Sequence, residues 1–305
     1  MTLTELKYVL TLAQEKHFGR AAKKCHVSQP TLSVSISKLE SELGVSIFER
    51  DRNHVRITEV GERIVEQAQR VLDEVNQIRD ISQDGKSQLE MPLKVGAIYT
   101  VGPYLFPNII PQLKKIAPHM PLLIQEDFTA NLSVKLMRGE LDAIFIALPF
   151  TEAGVVTQAL YDEPFVVLMR KDHKLSHKET ITPNDISAEE MLLLGEGHCF
   201  RNQVMEVCPQ CYPSESNATQ TVEGTSLETL RHMVASGMGI TVLPSSATQI
   251  QYYKSILCTK PFSGDVPQRR IAVAWRVSFT RTKAIDALIR ALHESAMRDM
   301  CLLPE

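Results

Sequence analysis

Arg20-Ala21-Ala22-Lys23-Lys24-Cys25-His26-Val27-Ser28-Gln29-Pro30-Thr31-Leu32-Ser33 is the stretch that decides how the N-terminal part of this chain folds. Small adjacent alanines let a neighbouring helix approach closely, and His26-Val27 is a turn. Ser28 is a good N-cap, because its hydroxyl accepts from main-chain N–H groups that a helix start leaves unpaired. Pro30 falls in the first turn, where a missing N–H does no harm. Leu32, Ile36, Leu39 and Leu43 then form one apolar stripe and Gly44 ends the helix. Short helix, turn and longer helix make a helix-turn-helix, which places its second helix in the major groove of DNA. Gln29, Pro30, Thr31 and Ser33 would face base edges, Gln29 pairing with adenine and Pro30 or Thr31 touching a thymine methyl. Lys38, further along the same helix, joins them as a DNA-binding candidate. A small helical protein-interaction domain is the other reading of this pattern.

Upstream, Leu3, Leu6, Val9, Leu10 and Ala13 recur at the three- and four-residue spacing of an amphipathic helix. Downstream, Ile47–Arg50, the turn Asp51-Arg52-Asn53-His54 and Val55–Thr58 read as a small wing, with Arg50 and Arg52 set to meet phosphates. Residues 1–58 hold nine Lys/Arg against six Asp/Glu, whereas the whole chain has a net charge of −3. A basic head on an acidic body suits a local DNA-binding module joined to something else. From Glu59 to Gln83 there is no proline, and Ile64, Ala68, Val71, Val75 and Ile78 follow heptad spacing. We read this as a dimerising helix, against the alternative of a helix lying on its own domain's core. Ser82–Gln88 is a polar hinge.

After the hinge, strands and helices alternate. Strands are expected at Leu93–Ile98, Leu122–Glu126, Ala143–Ala147, Phe165–Met169, Gly239–Pro244 and Ile271–Trp275. Helices are expected at Pro103–Ile116, near Leu132–Arg138 and from Arg281 to Met297. The alternation predicts an α/β region with mainly parallel sheets, and two similar helix–strand units, Leu132–Ala147 and Leu227–Leu243, point to two related subdomains. The expected divisions are 1–58 for the DNA-binding domain, 59–90 for linker helix and hinge, and 91–305 for the regulatory region. Hydrophobic residues are 44% and charged residues 23% of the 305, enough apolar surface for proper cores. No apolar run is long enough for a membrane span, and the N-terminus lacks the apolar stretch of a signal peptide, so a cytoplasmic location is expected.

Six cysteines are present, and Cys199, Cys208 and Cys211 fall within thirteen residues. A reducing cytosol makes a structural disulfide framework unexpected. The thiolate is the reactive form of cysteine, and positive neighbours or a helix N-terminus favour it. Cys199, between His198 and Arg201, reads as an activated thiol open to peroxide, and Cys208 as the thiol that resolves its sulfenic acid. If the segment between them is helical, nine steps separate their Cα atoms by roughly 13 Å, whereas a disulfide needs about 7 Å or less. Bond formation would then remodel the segment. Three other readings stay open: Cys199 as a small buried apolar group, Cys208-Pro209-Gln210-Cys211 as a thioredoxin-like pair, and a zinc site from His198, Cys199, Cys208 and Cys211. Neither a metal nor a cofactor is expected. Cys25, Cys258 and Cys301 read as structural or incidental.

Arg20-Ala21-Ala22, Ser28–Ser33, Leu39-Glu40-Ser41-Glu42-Leu43-Gly44, Phe48-Glu49-Arg50 and Thr58-Glu59-Val60-Gly61 resemble the LysR-type transcriptional regulators in order and spacing. The resemblance implies a winged helix-turn-helix, a dimerising linker helix and a two-lobed, periplasmic-binding-protein-like effector domain, usually in a tetramer. Val34-Ser35 departs from it, since many relatives carry a basic or amide residue there. Gly197-His198-Cys199-Phe200-Arg201, with a second cysteine nine residues on, resembles the peroxide-responsive members of the family. This likeness implies Cys199 as the peroxidatic residue and Cys208 as the resolving one. It adds Thr100, Thr129 and His198 to a peroxide pocket, with Arg201 beside them and Arg270 supporting the thiol. The partners it implies are promoter DNA, RNA polymerase, hydrogen peroxide, a thiol reductant and further copies of the chain. A regulator answering a small organic ligand is the alternative. A thiol peroxidase, an enzyme, would have no use for the winged head.

Overall fold

The computed structural model describes all residues except 52–53, 83–87, 188, 210–222, 249–252, 296–300 and 304–305, together with the side chains of 50, 51, 54, 73, 76, 77, 79–82 and 301. Arg52 and Cys211 therefore lie outside the described residues, as does the side chain of Arg50. The chain forms two compact units, Met1–Gly85 and Lys86–Glu305.

The first unit opens with helix α1 (Leu3–Glu15), started by a reciprocal capping box between Thr2 and Glu5. Helix α2 (Phe18–Lys24) is capped by the His17 ring. Helix α3 (Gln29–Leu43) begins at Ser28, whose Oγ accepts from the Thr31 N–H at 3.3 Å, and ends at Gly44 with φ 69°. Strands β1 (Phe48–Asp51) and β2 (His54–Ile57) form the antiparallel wing. Leu6, Val9, Leu12, Ala21, Leu32, Ile36 and Leu39 make one core, while Leu3 and Leu43, expected on the inner stripes, are exposed.

Helix α4 (Glu59–Ser82) corrects one expectation. Ala68 and Leu72 are buried in the core of the same unit, and Ile64, Val65 and Val71 pack against it. The first half of the heptad stripe is thus covered by the chain's own head, because α1 lies alongside it. Val75 is half-buried and Ile78 is 66% exposed, so only the outer end of the stripe stands open in the monomer.

The second unit holds β3 (Leu93–Ile98), α5 (Gly102–Ile116), β4 (Leu122–Asp127), α6 (Thr129–Met137), β5 (Ala143–Ala147), β6 (Val155–Arg170), α7 (Pro183–Ile186) and β7 (Leu193–Leu194). It continues with α8 (Cys199–Val207), β8 (Glu223–Gly224), α9 (Leu227–Ala235), β9 (Thr241–Pro244), β10 (Leu257–Pro261), β11 (Gln268–Arg276), α10 (Thr282–His293) and β12 (Cys301–Leu302). The main sheet runs β10-β6-β11-β5-β3-β4, with β9 and β12 also paired to β6. Among the described strands, the parallel pairs are β3 with β4, β3 with β5, and β7 with β8. The mainly parallel sheet expected from the alternation is therefore a mixed one. Its cause is β6, a 16-residue strand against which β9, β10, β11 and β12 all run antiparallel.

Strand β6 serves two cores. Leu160 and Tyr161 belong to the first, built on β3, β5, α5 and α10, whereas Phe165, Val167, Leu168 and Met169 belong to the second, with α8, α9 and β9. These are the two lobes, joined through β6 and β11.

Gly61, in the first turn of α4, has no room for a side chain: a Cβ there would collide with the Ile47 carbonyl oxygen. Gly61→Ala should lower the stability of the first unit by about 2 kcal/mol. Trp275, the only tryptophan and part of the second unit, reports independently. Its fluorescence transition should stay in place while the helix-loss transition of the head moves to lower temperature.

Candidate functional site

Cys199 is the first residue of α8, where unpaired main-chain N–H groups and the positive end of the helix lie. His198 is the N-cap residue in extended conformation, and its side chain makes no cap bond. Gly197 before it has φ 91°, and a Cβ there would lie 3.1 Å from the Phe128 ring, so the sharp entry into the helix requires glycine. Helix α8 buries Phe200, Val204 and Cys208 in the second lobe's core, yet Cys199 packs against the core of the first. The thiol therefore sits in the seam between lobes, half-buried and free.

A cleft of about 410 Å³ opens beside the sulfur, lined by Thr129, Ser133, Glu152, His198, Cys199 and Asn202 among others. Ser133 donates to Glu152 Oε2 at 2.8 Å. Thr129 Oγ1 is buried and has no hydrogen-bond partner. An unpaired buried hydroxyl costs about 1–3 kcal/mol, and Thr129 is one of the residues that line this cleft. The His198 ring is 8% exposed, edge-on to Phe128 at 4.8 Å and to Tyr99 at 5.9 Å. This apolar setting disfavours its charged form and lowers its pKa from 6.5, opposed by a hydrogen bond to the Thr225 main chain. At neutral pH the imidazole is uncharged and acts as a hydrogen-bonding group, so it is not the positive neighbour expected from the sequence.

Thr100, 2% exposed, is not at the cleft surface. Its Oγ1 accepts from Arg269 Nη1 and its carbonyl from Arg269 Nη2, both at 2.8 Å. Arg269 also donates to Glu163 Oε2 at 2.7 Å, with neither side chain exposed to solvent. Ser246 N–H donates to the other Glu163 oxygen at 3.1 Å, and the Arg269 guanidinium lies 5.1 Å from the centre of the Phe200 ring. The cation that supports the Cys199 region is thus Arg269. Arg270, expected in that role, is exposed and paired with Asp162 at 2.7 and 2.8 Å. Side chains alternate faces along a strand, and the register of β11 turns Arg269 inward. Arg201 is corrected likewise. Its Nη1 donates to Leu194 O at 2.6 Å and to Glu223 Oε1 at 2.7 Å, because residues two apart on a helix do not share a face.

Sequence reasoning missed Glu163, Phe128, Tyr99, Ser133, Glu152 and Asn202. Only the paired Arg269-Arg270 offered a signal, and its phase could not be read. Cys208, 3% exposed, forms the C-cap of α8. Cys199, at the other end of the helix, is a free thiol. In the first unit, Gln29, Pro30, Thr31 and Lys38 are exposed on α3, Ser33 is half-buried, and Val34 is 68% exposed.

A winged helix-turn-helix and a two-lobed α/β unit with its site in the seam define a ligand- or redox-responsive DNA-binding regulator. The model of the bacterial regulatory helix-turn-helix proteins of the lysR family matches residues 3–62, and that of the LysR substrate binding domain matches residues 86–297. The chain belongs to the LysR family of transcriptional regulators. It is 40% identical over 276 residues to a hydrogen peroxide-inducible genes activator of Dickeya chrysanthemi, covering 90% of each chain. Full-length OxyR of Pseudomonas aeruginosa, solved as a Cys-to-Asp mutant, has 55% identity and a TM-score of 0.78, over 100% of this chain and 99% of that one. A cysteine mutant of Corynebacterium glutamicum OxyR, solved with H2O2 bound, has 31% identity and a TM-score of 0.63, over 95% of this chain and 91% of that one. Among the described residues no helix is long and apolar enough to cross a membrane.

Arg269→Ala strands the Glu163 carboxylate and should destabilise the second unit by about 3–5 kcal/mol. Arg270→Ala, which removes only an exposed partner, should leave the Trp275 unfolding transition at its wild-type position. For His198 the unfolded ring binds a proton more readily than the folded one, so folding loses stability as pH falls from above 6.5 through the lower folded value. Between about pH 7.5 and about pH 5.5 the wild type should lose more thermal stability than His198→Gln. Parallel melting curves at the two pH values measure the difference.

Proposed function

We propose that this chain is a peroxide sensor that controls transcription, with Cys199 as the sensing atom. The observation that carries this reading is a free sulfur at a helix start, in a cleft whose neighbouring Thr129 hydroxyl has no partner. The Cys199 thiolate attacks one oxygen of hydrogen peroxide, forming S–O and breaking O–O. The departing oxygen takes a proton and leaves as water. Thr129 and neutral His198 orient the peroxide by hydrogen bonds. Thr100 acts at one remove, by holding Arg269 beneath the Phe200 ring. Cys208 then attacks the sulfenic sulfur, closing a disulfide and releasing a second water. With α8 helical between the two cysteines, their Cα atoms are roughly 13 Å apart, so closure unwinds the helix. That movement shifts Cys199 and its neighbours in the seam and is the element that the bond biases.

The change is relayed to promoter DNA through copies of the chain joined at the open end of α4, in a dimer or tetramer. Gln29, Pro30, Thr31, Ser33 and Lys38 read the DNA, with Arg50 and Arg52 on its phosphates. RNA polymerase answers the altered complex, a cytoplasmic thiol reductant resets it, and activation of antioxidant genes is the output. Supporting this reading are the activity named for the Dickeya relative and the H2O2 bound in the Corynebacterium structure.

Cys199→Ser should bind operator DNA and ignore peroxide. A full peroxide-dependent change of its DNase footprint sinks the mechanism. Cys208→Ser should still form sulfenic acid at Cys199, detected by dimedone labelling and mass spectrometry. Absence of that adduct overturns the assigned order of events.

A further inference from the structure

We propose that Glu152 is the resident counter-charge of the Cys199 cleft and reserves the sulfur for uncharged oxidants, by cancelling the attraction for anions of two helix starts that meet there. The proposal deepens the peroxide-sensing reading above and rests on it.

Two helices begin at this cleft. Thr129 is the first residue of α6 and Cys199 the first of α8, and both line it. Neither start is capped by a side chain, since the N-cap residues Phe128 and His198 make no cap bond. A helix N-terminus carries roughly +0.5 of an elementary charge on its unpaired N–H groups. Two of them together present about one positive charge, an arrangement that draws anions. The buried Thr129 hydroxyl, without a partner, adds a hydrogen-bond donor. Unopposed, this cleft would gather an anionic oxidant at the sulfur in preference to a neutral one.

The nearby cations do not add to that attraction, because each is engaged elsewhere. Lys135 on α6 pairs with Asp127 at 2.6 Å, Arg201 on α8 with Glu223 at 2.7 Å, and Arg269 with Glu163. Arg276 donates to the carbonyls of Leu136 and Leu141, at the far end of α6 from Thr129. With His198 uncharged, Glu152 alone bears a formal charge among the described residues that line the cleft. Ser133, one turn into α6 and buried, donates its hydroxyl to Glu152 Oε2 at 2.8 Å and holds the carboxylate in place. One negative charge thus stands against about one positive, and the cleft is left near neutrality.

Two oxidants of different charge read this balance. The Cys199 thiolate attacks hydrogen peroxide, forming S–O and breaking O–O, and the hydroxide released takes a proton to become water. Peroxymonosulfate, an anion, reacts in the same way: its terminal oxygen passes to sulfur as S–OH and sulfate leaves. Either reaction oxidises the sulfur by two electrons to the sulfenic acid. Any influence of Glu152 on the thiolate itself is common to both and cancels in the ratio of the two rates. Glu152 is exposed, so its charge acts largely through water and its effect is several-fold.

The test uses the full chain, reduced with dithiothreitol, desalted and mixed with hydrogen peroxide or with potassium peroxymonosulfate at neutral pH. Samples are quenched with N-ethylmaleimide over time, and the loss of alkylated Cys199 is followed by mass spectrometry. In Glu152→Gln, which keeps an acceptor for Ser133, the ratio of the peroxymonosulfate rate to the peroxide rate should rise about three- to tenfold. Glu152→Lys should raise it further, and about 0.5 M salt should shrink both increases. Ser133→Ala removes the hydrogen bond and keeps the charge, so its ratio should stay near that of the wild type. Cys258, free and remote in the second lobe, serves as the control within each sample, and its ratio should not change. An unchanged ratio in Glu152→Gln overturns the proposal. So does an equal rise in Ser133→Ala or at Cys258, or a rise that salt leaves intact. Should wild-type Cys199 react with hydrogen peroxide no faster than Cys258, the sensor reading itself fails and takes this inference with it.

Discussion

Arg269 carries a permanent charge into a place closed to water, and its partners there are drawn from every part of the regulatory unit. Glu163 comes from β6, Thr100 from the loop after β3 and the Phe200 ring from α8, while Ser246, after β9, donates its N–H to the other Glu163 oxygen. A buried ion left without such partners costs several kcal/mol, so these segments cannot drift apart independently. The strands that join the lobes are fixed to the start of the helix bearing Cys199. The sulfur's position is a consequence of that charge being satisfied.

On this foundation α8 is committed to both lobes at once. Its inner face belongs to one core and its first residue to the other. A bond that pulled Cys199 toward Cys208 would disturb the seam and the helix together. In the chain-entropy model a loop this short constrains the chain by only ~2.5–3 kcal/mol. The energy available is comparable to that of a few lost helical contacts, which suits a reversible switch. The neutral state of His198 removes one source of positive charge at the sulfur, and Glu223 has engaged another in Arg201. What remains nearby is the helix start itself and the hydroxyl of Thr129.

The local features were legible in the sequence because their causes lie within a few residues. Ser28, Pro30 and Gly44 mark the ends of α3 through hydrogen bonds and backbone freedom that need no distant partner. The apolar runs at Leu93, Ala143 and Phe165 form strands because their burial is written into consecutive residues. The direction of the sheet was not legible: β6 extends well beyond its apolar run, and its pairing with four later strands depends on long-range contacts.

The sequence by itself determined the winged head, the two-lobed α/β plan and the cluster of thiols around Cys199. Tertiary structure alone decided which neighbours act on that sulfur. Arg269 and Arg270 are adjacent and chemically identical, and only the register of β11 against β6 sends one inward and the other to solvent. Ala68 fits a dimer seam or its own core equally well by spacing, and the presence of α1 settles it. Periodicity specifies that a face is apolar or that a charge recurs. Which surface meets that face, and which carboxylate meets that charge, depends on segments far away in the chain.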